Sequence, residues 1–291
     1  ASITHFLVDV EKSNRLPDVS GLSNKQILEK LRLVNGKRIT RAAIILFGKD
    51  PGMFYLGVSV RLGRFGNSDA ELFFHESIEK NLILSLPEIL SQLNAKFFTK
   101  RIHFEDFQRY ETPPYPKDAL REAFLNAMVH KDYSSGIHIQ CKIYDHHLTL
   151  WNKGELPPNL PLESLTKIHT SEPRNKLIAD ICHKAGYIDS WGRGIEKMNE
   201  SCQSARIPNP IFSEMQGGLQ VKFSTTTPQV TPQVTMQVVE FLLKIGDQEL
   251  GRQELQDILG LADRKYFRKA YLNPLLEADY LEMKAELVYG I

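Results

Sequence analysis

The sequence has few cysteines, no long hydrophobic run and almost no net charge. Its three cysteines, Cys141, Cys182 and Cys202, have no paired spacing, so neither a disulfide framework nor a zinc knuckle is indicated. The longest apolar run, AAIILF, is too short to span a bilayer and no signal peptide opens the chain, so we expect a cytoplasmic protein. With a formal net charge of +1, only a local patch could attract nucleic acid.

The length of 291 residues predicts two or three domains. We place an N-terminal α/β region at residues 1–110, a central α/β domain at 111–224, a linker at 225–235 and a small domain at 236–291. The linker contains the unit TPQV twice, a composition that cannot bury a core. Because the chain begins with Ala and enters a helical pattern almost at once, we expect a further domain upstream.

Periodicity predicts the secondary structure around this central domain. Helices are expected over residues 23–33, 39–48 and 77–96 and from Pro116 or Lys117, with a strand over 58–65. Alternation in GIHIQCKIYDHHLTLWN predicts a β-hairpin, which is followed by helices in RNKLIADICHKAG and after WGRG and by a strand in GGLQVKF. Residues 236–291 predict three helices and a terminal pair of short strands, which is typical of a winged helix.

The segment REAFLNAMVHKDY places three polar residues four positions apart on an otherwise apolar helix. Glu122, Asn126 and His130 therefore share one stripe, while apolar residues occupy another part of the helix surface. Such a stripe is either an internal hydrogen-bond network or part of a ligand site, and the spacing alone leaves both open.

The order of short motifs across residues 122–194 resembles the ATP-binding domain shared by gyrase B subunits, the heat-shock chaperone ATPase, histidine kinases and the mismatch-repair ATPase (the GHKL superfamily). More closely, ALREAFLNAMVHKDY, LWNKGELP, SEPRN and WGRGIEKM resemble a bacterial and archaeal family of transcriptional regulators often labelled RecG-related ATP-dependent DNA helicases. The resemblance implies an α+β fold, a GHKL-like (Bergerat-type) α/β sandwich followed by a winged helix. It also implies a Schlafen-like, AlbA-type DNA-binding domain upstream of Ala1.

The resemblance implies ATP and Mg²⁺ as ligands and assigns roles to individual residues. Glu122 would be the catalytic general base and Asn126 would hold Mg²⁺, since an i, i+4 pair presents both groups to one pocket. The other nucleotide-binding residues would be Asn152, Gly154, Gly192, Arg193 and Gly194.

Two positions depart from the superfamily pattern. Asn152 replaces the usual adenine-reading Asp, and Val129 replaces the Asp that often follows the metal-binding Asn. An amide can accept the adenine hydrogen bond but can equally present its donor end. A third glycine of the phosphate loop is also missing. These departures are compatible with the fold and bring ATP turnover into question.

The C-terminal helix DRKYFRKAYL carries the candidate DNA contacts. Asp263 is expected to cap it, with Phe267 and Tyr271 facing inward. The residues expected to face outward toward DNA are Arg264, Lys265, Arg268 and Lys269. Residues 236–291 nevertheless contain seven Lys and Arg against ten Asp and Glu, a net charge of −3, so dimerisation or protein binding remains an alternative.

Three functional hypotheses follow. The first is a DNA-binding transcriptional regulator in which nucleotide binding acts as a switch, with DNA and a second copy of the chain as partners and no membrane. The second is the ATP-dependent helicase of the family label, which the absence of a GxxxxGK[ST] loop and of paired motor domains disfavours. The third is a pseudo-ATPase scaffold that binds protein partners.

Overall fold

The computed structural model describes residues 1–66, 68–105, 108–158, 160–165, 172–188, 192–225, 244–245, 250–261, 263–272 and 275. The chain divides into two compact units, residues 1–225 and 226–291. Residues 226–235 of the predicted linker, most of the predicted helix at 236–245 and the predicted strands around Lys284 lie outside the described residues.

The first unit alternates helices and strands. Its helices are α1 (Ser2–Ser13), α2 (Asn24–Lys30), α3 (Arg41–Phe47), α4 (Leu82–Gln92), α5 (Lys117–His130), α6 (Lys176–Lys184) and α7 (Gly194–Ser204). Its strands are β1 (Val34–Asn35), β2 (Arg38–Ile39), β3 (Val60–Phe65), β4 (Leu72–Ile78), β5 (Arg101–Glu105), β6 (Gln108–Thr112), β7 (Ile139–Ile143), β8 (His147–Lys153), β9 (Ile211–Met215) and β10 (Gly218–Ser224).

A six-stranded mixed sheet organises this unit, in the order β4-β3-β7-β8-β10-β9. The β3–β7 pair is parallel and the other neighbours are antiparallel. Alternate residues of β7 and β8, such as Cys141 and Leu150, are buried on one face, where α5 packs. This α+β arrangement is compatible with an ATPase-like α/β fold. The small sheets β1–β2 and β5–β6 lie outside it.

Helix starts follow local capping chemistry. Ser23 forms a capping box with Gln26 at the start of α2, and Thr40 accepts a hydrogen bond from Ala43 N at the start of α3. Asn81 caps α4 by accepting from Leu84 N at 3.3 Å. The predicted helix start near Ser77 is wrong, because Ser77 pairs with Arg61 in the sheet and the helix begins only after the Asn81 cap.

Sequence periodicity missed four strand regions, the short β1–β2 hairpin, β4, the β5–β6 hairpin and β9. Strand β4 is exposed over most of its length and β9 lies at the sheet edge, so neither shows the clean alternation that reveals a half-buried strand. Strands β3 and β4 join the same sheet as β7–β10, so the sheet extends across the predicted boundary between residues 110 and 111.

The second unit has a small core of its own. Its described helices are α8 (Arg252–Ile258) and α9 (Arg264–Phe267), which continues as a π-helical turn over Arg268–Leu272. As predicted, Asp263 caps α9, accepting from Lys265 N and Tyr266 N, and Phe267 and Tyr271 pack inward. Within the described residues, no helix combines the length and the apolar character needed to cross a membrane.

Candidate functional site

Helix α5 supplies the polar stripe predicted from its spacing. Pro116 precedes its first residue, and Leu120, Phe124 and Leu125 lie in the core. Glu122 and Asn126, together with His130 one turn later, line a cavity of about 340 Å³. The helix therefore buries its apolar surface while presenting this stripe to one pocket.

The cavity lies between α5, β8, α7 and the loops that join them. It has an apolar floor that includes Leu150, Met198 and Val221, and a polar rim. The predicted site residues that line it are Glu122, Asn126, Asn152, Gly154, Gly192 and Gly194. An apolar pocket with a few convergent polar groups is the usual form of a small-molecule site.

The start of α7 lies directly against Glu122. A Cβ built on Gly194 would overlap the Glu122 carboxylate and lie 2.9 Å from its Cδ atom, so this position admits glycine alone without a shift. Glu122 is buried, at 7% exposure, and its carboxylate sits where the positive end of the α7 dipole favours an anion. A ligand phosphate approaching the same helix end would meet this negative charge.

Gly154 brings the end of β8 close to the end of α5. Its φ of 138° lies in a region that other residues avoid, and a Cβ there would be 2.7 Å from the carbonyl oxygen of His130. The glycine of the Asn152-x-Gly154 motif therefore allows the backbone at the end of β8 to lie close to the end of α5, at the rim of the cavity.

The side-chain amides of Asn126 and Asn152 differ in the hydrogen bonds that they already make within the protein. Asn126 is half-buried, and its side chain makes no hydrogen bond to any residue that the structure describes, which leaves the amide free for a ligand. Asn152 is buried, and among the described residues its Nδ2 donates only a long 3.4 Å bond to the Lys153 carbonyl oxygen. Both amides can therefore contribute polar contacts within the cavity.

The charged residues lining the cavity are mostly acidic. Glu122, Glu155 and Glu172 contribute three carboxylates, and Arg174 contributes a guanidinium. A polyanion would be repelled by this lining unless a cation screened it. The described residues contain no cluster of three or more His, Cys, Asp or Glu able to hold a metal ion by themselves. These residues fit Mg²⁺ only as an ion shared between the Asn126 amide, water and ligand phosphates.

Arg193, predicted to contact phosphate, does not line the cavity. It precedes α7, and its Nε donates to Glu196 at 3.1 Å, with both side chains well exposed. Trp191 of the WGRG motif lies outside the described residues.

The sequence interpretation missed the role of the SEPRN segment. Arg174 lines the cavity and donates through Nη2 to the Glu155 carbonyl oxygen at 2.8 Å. Asn175 donates through Nδ2 to the carbonyl oxygens of Val129 and Lys131, at 2.8 and 2.7 Å, and so satisfies carbonyls at the end of α5. No local signal in SEPRN indicated these roles, because Arg174 and Asn175 both act on backbone carbonyls of other segments.

Buried groups next to the site have displaced pKa values. Lys131 follows α5, is fully buried and donates to the carbonyl oxygens of Asp132 and Ile137. Burial lowers the pKa of its ammonium to about 8, with the charge of Asp132 opposing that shift. Desolvation likewise raises the pKa of the Tyr133 hydroxyl, which donates to the Met128 carbonyl oxygen.

Two protein-family models match segments of this sequence. Residues 136–223 match the protein-family model described as "Putative ATP-dependent DNA helicase recG C-terminal". Residues 236–285 match the model described as "Filamentation induced by cAMP protein Fic-like, C-terminal domain". None of the curated proteins matches the sequence.

One similar solved structure is that of the DIP2311 protein from Corynebacterium diphtheriae, at 18% identity and a TM-score of 0.63. The similarity covers 96% of this chain and 58% of that one, and at this identity it concerns the fold alone. The matches to family models support a RecG-related, ATPase-like family for the central residues and a Fic-like C-terminal segment.

Proposed function

We propose that this chain is a DNA-associated transcriptional regulator in which ATP binding to the central cavity acts as a switch. The observation that carries the proposal is the convergence of Glu122 and Asn126 with Asn152, Gly154, Gly192 and Gly194 around one cavity. These residues come from three separate segments of the chain, and a structural hydrogen-bond network would not require the free amide of Asn126.

The acidic lining indicates how the site would take a triphosphate. With Mg²⁺ bound, the ion would supply the positive charge that lets phosphates approach Glu122 and the start of α7. Asn126 would offer its amide oxygen as a ligand, and Glu122 would accept the proton of an attacking water. The apolar floor would take the base, with Asn152 at its edge.

The proposed contact with DNA involves the second unit of the chain. We propose that residues 236–291 form a winged helix joined through the 225–235 linker, with α9 presenting Arg264, Lys265 and Arg268 on its exposed side. Nucleotide binding would then bias how this unit engages DNA. Helicase activity is not proposed, because the sequence contains no P-loop.

Titration calorimetry with ATP, with and without Mg²⁺, tests the central step. We expect binding that depends on Mg²⁺ and is lost in Asn126→Ala, because the substitution removes the metal-binding amide. Asn94→Ala, an exposed asparagine outside the cavity lining, is the matched control and should bind like the parent.

Two results would contradict the nucleotide switch. The first is absence of ATP binding in the parent under either condition. The second is unchanged binding in an Asn126→Ala variant that also melts at a lower temperature, which would favour the pseudo-ATPase scaffold.

A further inference from the structure

The second face of the six-stranded sheet carries a distinct surface, here called the outer face. Helix α5 covers the opposite, inner face, and strand alternation places a different set of side chains outward. One row across the ladder is Arg61, Gln140, Trp151, Gln220 and Ser213, and the adjoining row includes Lys142, Thr149, Lys222 and Ile211. These outward side chains are half-buried or exposed, whereas their inward neighbours on β7 and β8 are buried.

The outer face is polar and positively charged. It carries Arg61, Lys142 and Lys222, with Lys153 in the next row. Asp69 offsets Lys142 through a 2.6 Å ion pair. Arg61 and Lys222 have no hydrogen bond or ion pair with any residue in the described part of the chain, so their charges are available to a ligand.

Trp151 lies over Gly218 on this face. A Cβ built on Gly218 would be 2.8 Å from the indole atoms Cε2 and Cζ2, so the ring rests on the backbone where the glycine leaves room. Its Nε1 donates to the Met215 carbonyl oxygen at 3.1 Å, which holds the ring edge in place. The indole is half-buried in this position, so part of the ring remains accessible on the outer face.

A second aromatic group occupies the other end of the outer face. The Phe65 ring lies over Gly63, where a Cβ would be 2.6 Å from Cε2, and Lys142 Nζ is 5.6 Å from the ring centroid. Tyr144 stacks on Phe65 at 5.4 Å and on His147 at 4.2 Å. Flat rings with cations and amides between them are the arrangement that proteins use to bind unpaired bases and phosphates.

We propose that the outer face binds single-stranded nucleic acid, with Trp151 stacking on a base and Arg61 and Lys222 contacting phosphates. A duplex keeps its bases stacked inside and cannot place one against the exposed part of the indole. A second copy of the chain is disfavoured as the occupant, because a two-fold contact between outer faces would bring these unpaired cations together. The proposal is independent of the nucleotide cavity, which lies on the inner side of the sheet.

Fluorescence anisotropy of the full chain with a labelled oligothymidylate of about 16 nucleotides tests this surface. Trp151→Ala should weaken binding by about tenfold or more, whereas Trp151→Phe, which keeps an aromatic platform, should bind nearly as well as the parent. The double variant Arg61→Glu/Lys222→Glu should also lower the slope of log affinity against log salt by about 1.4. An unlabelled duplex of the same length should compete poorly.

Matched controls separate this surface from other effects. Lys12→Glu/Lys25→Glu changes two exposed lysines on α1 and α2 and should leave affinity unchanged. These variants should bind ATP like the parent, because the cavity lies on the opposite side of the sheet. A parent that fails to bind ATP would therefore leave the oligonucleotide test valid. Thermal melting of each variant identifies loss of fold.

Several results would overturn the proposal. These are absence of oligonucleotide binding in the parent, or binding that survives both the Trp151→Ala and the double charge-reversal substitutions. Dissociation of a parent dimer by Trp151→Ala in sedimentation, without oligonucleotide binding, would instead make the outer face an interface between copies of the chain.

Discussion

Glu122 is the residue on which a hydrolytic role depends. Its carboxylate is buried against the first residue of α7 and lies one turn from the free amide of Asn126. We expect Glu122→Gln to retain ATP binding and to lower turnover by about 100-fold or more, because the amide cannot accept a proton. Since the substitution also removes a negative charge, ATP binding without Mg²⁺ should become tighter. Phosphate release at saturating ATP, with calorimetry alongside, measures both effects.

The control for this substitution is Glu29→Gln, an exposed acid on α2 that should turn over like the parent. Equal turnover in the parent and in Glu122→Gln would remove Glu122 from the mechanism. A parent that binds ATP and releases no phosphate would contradict the role of Glu122 as a base.

Lys131 should make stability depend on pH. Because burial lowers its folded-state pKa to about 8, the folded protein binds fewer protons than the unfolded chain between pH 8 and the ordinary lysine pKa of 10.5. The free energy of unfolding of the parent should therefore rise relative to that of Lys131→Met across this window, by up to about 3 kcal/mol. Urea titrations of both proteins at pH 7 and pH 10 measure the change.

The loss of the Lys131 hydrogen bonds to the carbonyl oxygens of Asp132 and Ile137 contributes an offset that is the same at both pH values. The difference between the two pH values therefore isolates the titration. A parent-to-variant difference that stays constant from pH 7 to pH 10 would show that the ammonium remains protonated in its buried position.

At the scale of elements, α9 is the candidate DNA-contacting helix. Its capped start and buried Phe267 fix which side faces solvent, and Arg264 and Arg268 are exposed there. Arg264 also donates to Gln253 of α8 at 2.8 Å, so part of its hydrogen-bonding capacity is already used.

Charge reversal at both arginines, Arg264→Glu/Arg268→Glu, should weaken duplex binding and lower the salt slope by about 2, since two phosphate contacts are removed. Binding measured over a range of salt concentrations gives the slope. Arg252→Glu on α8 changes an exposed arginine of the same unit and is the control. An unchanged slope in the double variant would assign duplex contact to another part of the protein.

The elements also differ in how well sequence predicted them. The β7–β8 hairpin was predicted correctly because one of its faces is buried, which gives a clear period of two. Helix α5 is buried on most sides, and it was predicted from its proline start and from the spacing of its polar stripe. Strand β4 has no such pattern, since most of its residues are exposed, and its pairing with β3 depends on a partner from the preceding segment. The helix start predicted at Ser77 was wrong for the same reason, because Ser77 belongs to this exposed strand.

At the scale of the whole molecule, the candidate site depends on contacts between distant segments. Asn126 and Glu122 could be paired from their spacing on one helix, but the approach of Gly194 to Glu122 joins positions far apart in sequence. The roles of Arg174 and Asn175 were invisible locally, because both act through backbone carbonyls of other segments. The acidic balance of the cavity likewise emerges only when Glu155 and Glu172 are brought beside Glu122.

Local sequence was sufficient to predict helix α5, the hairpin beside it, the cap at Asp263 and the polar stripe that marks the site, because periodicity and capping act over a few neighbouring residues. Three further features required the tertiary fold: the stripe lines an apolar cavity, Arg193 pairs with Glu196 instead of lining that cavity, and Trp151 lies over Gly218 on the outer face of the sheet. Those features depend on strand order and on close approaches at glycines, where one segment meets another across the fold.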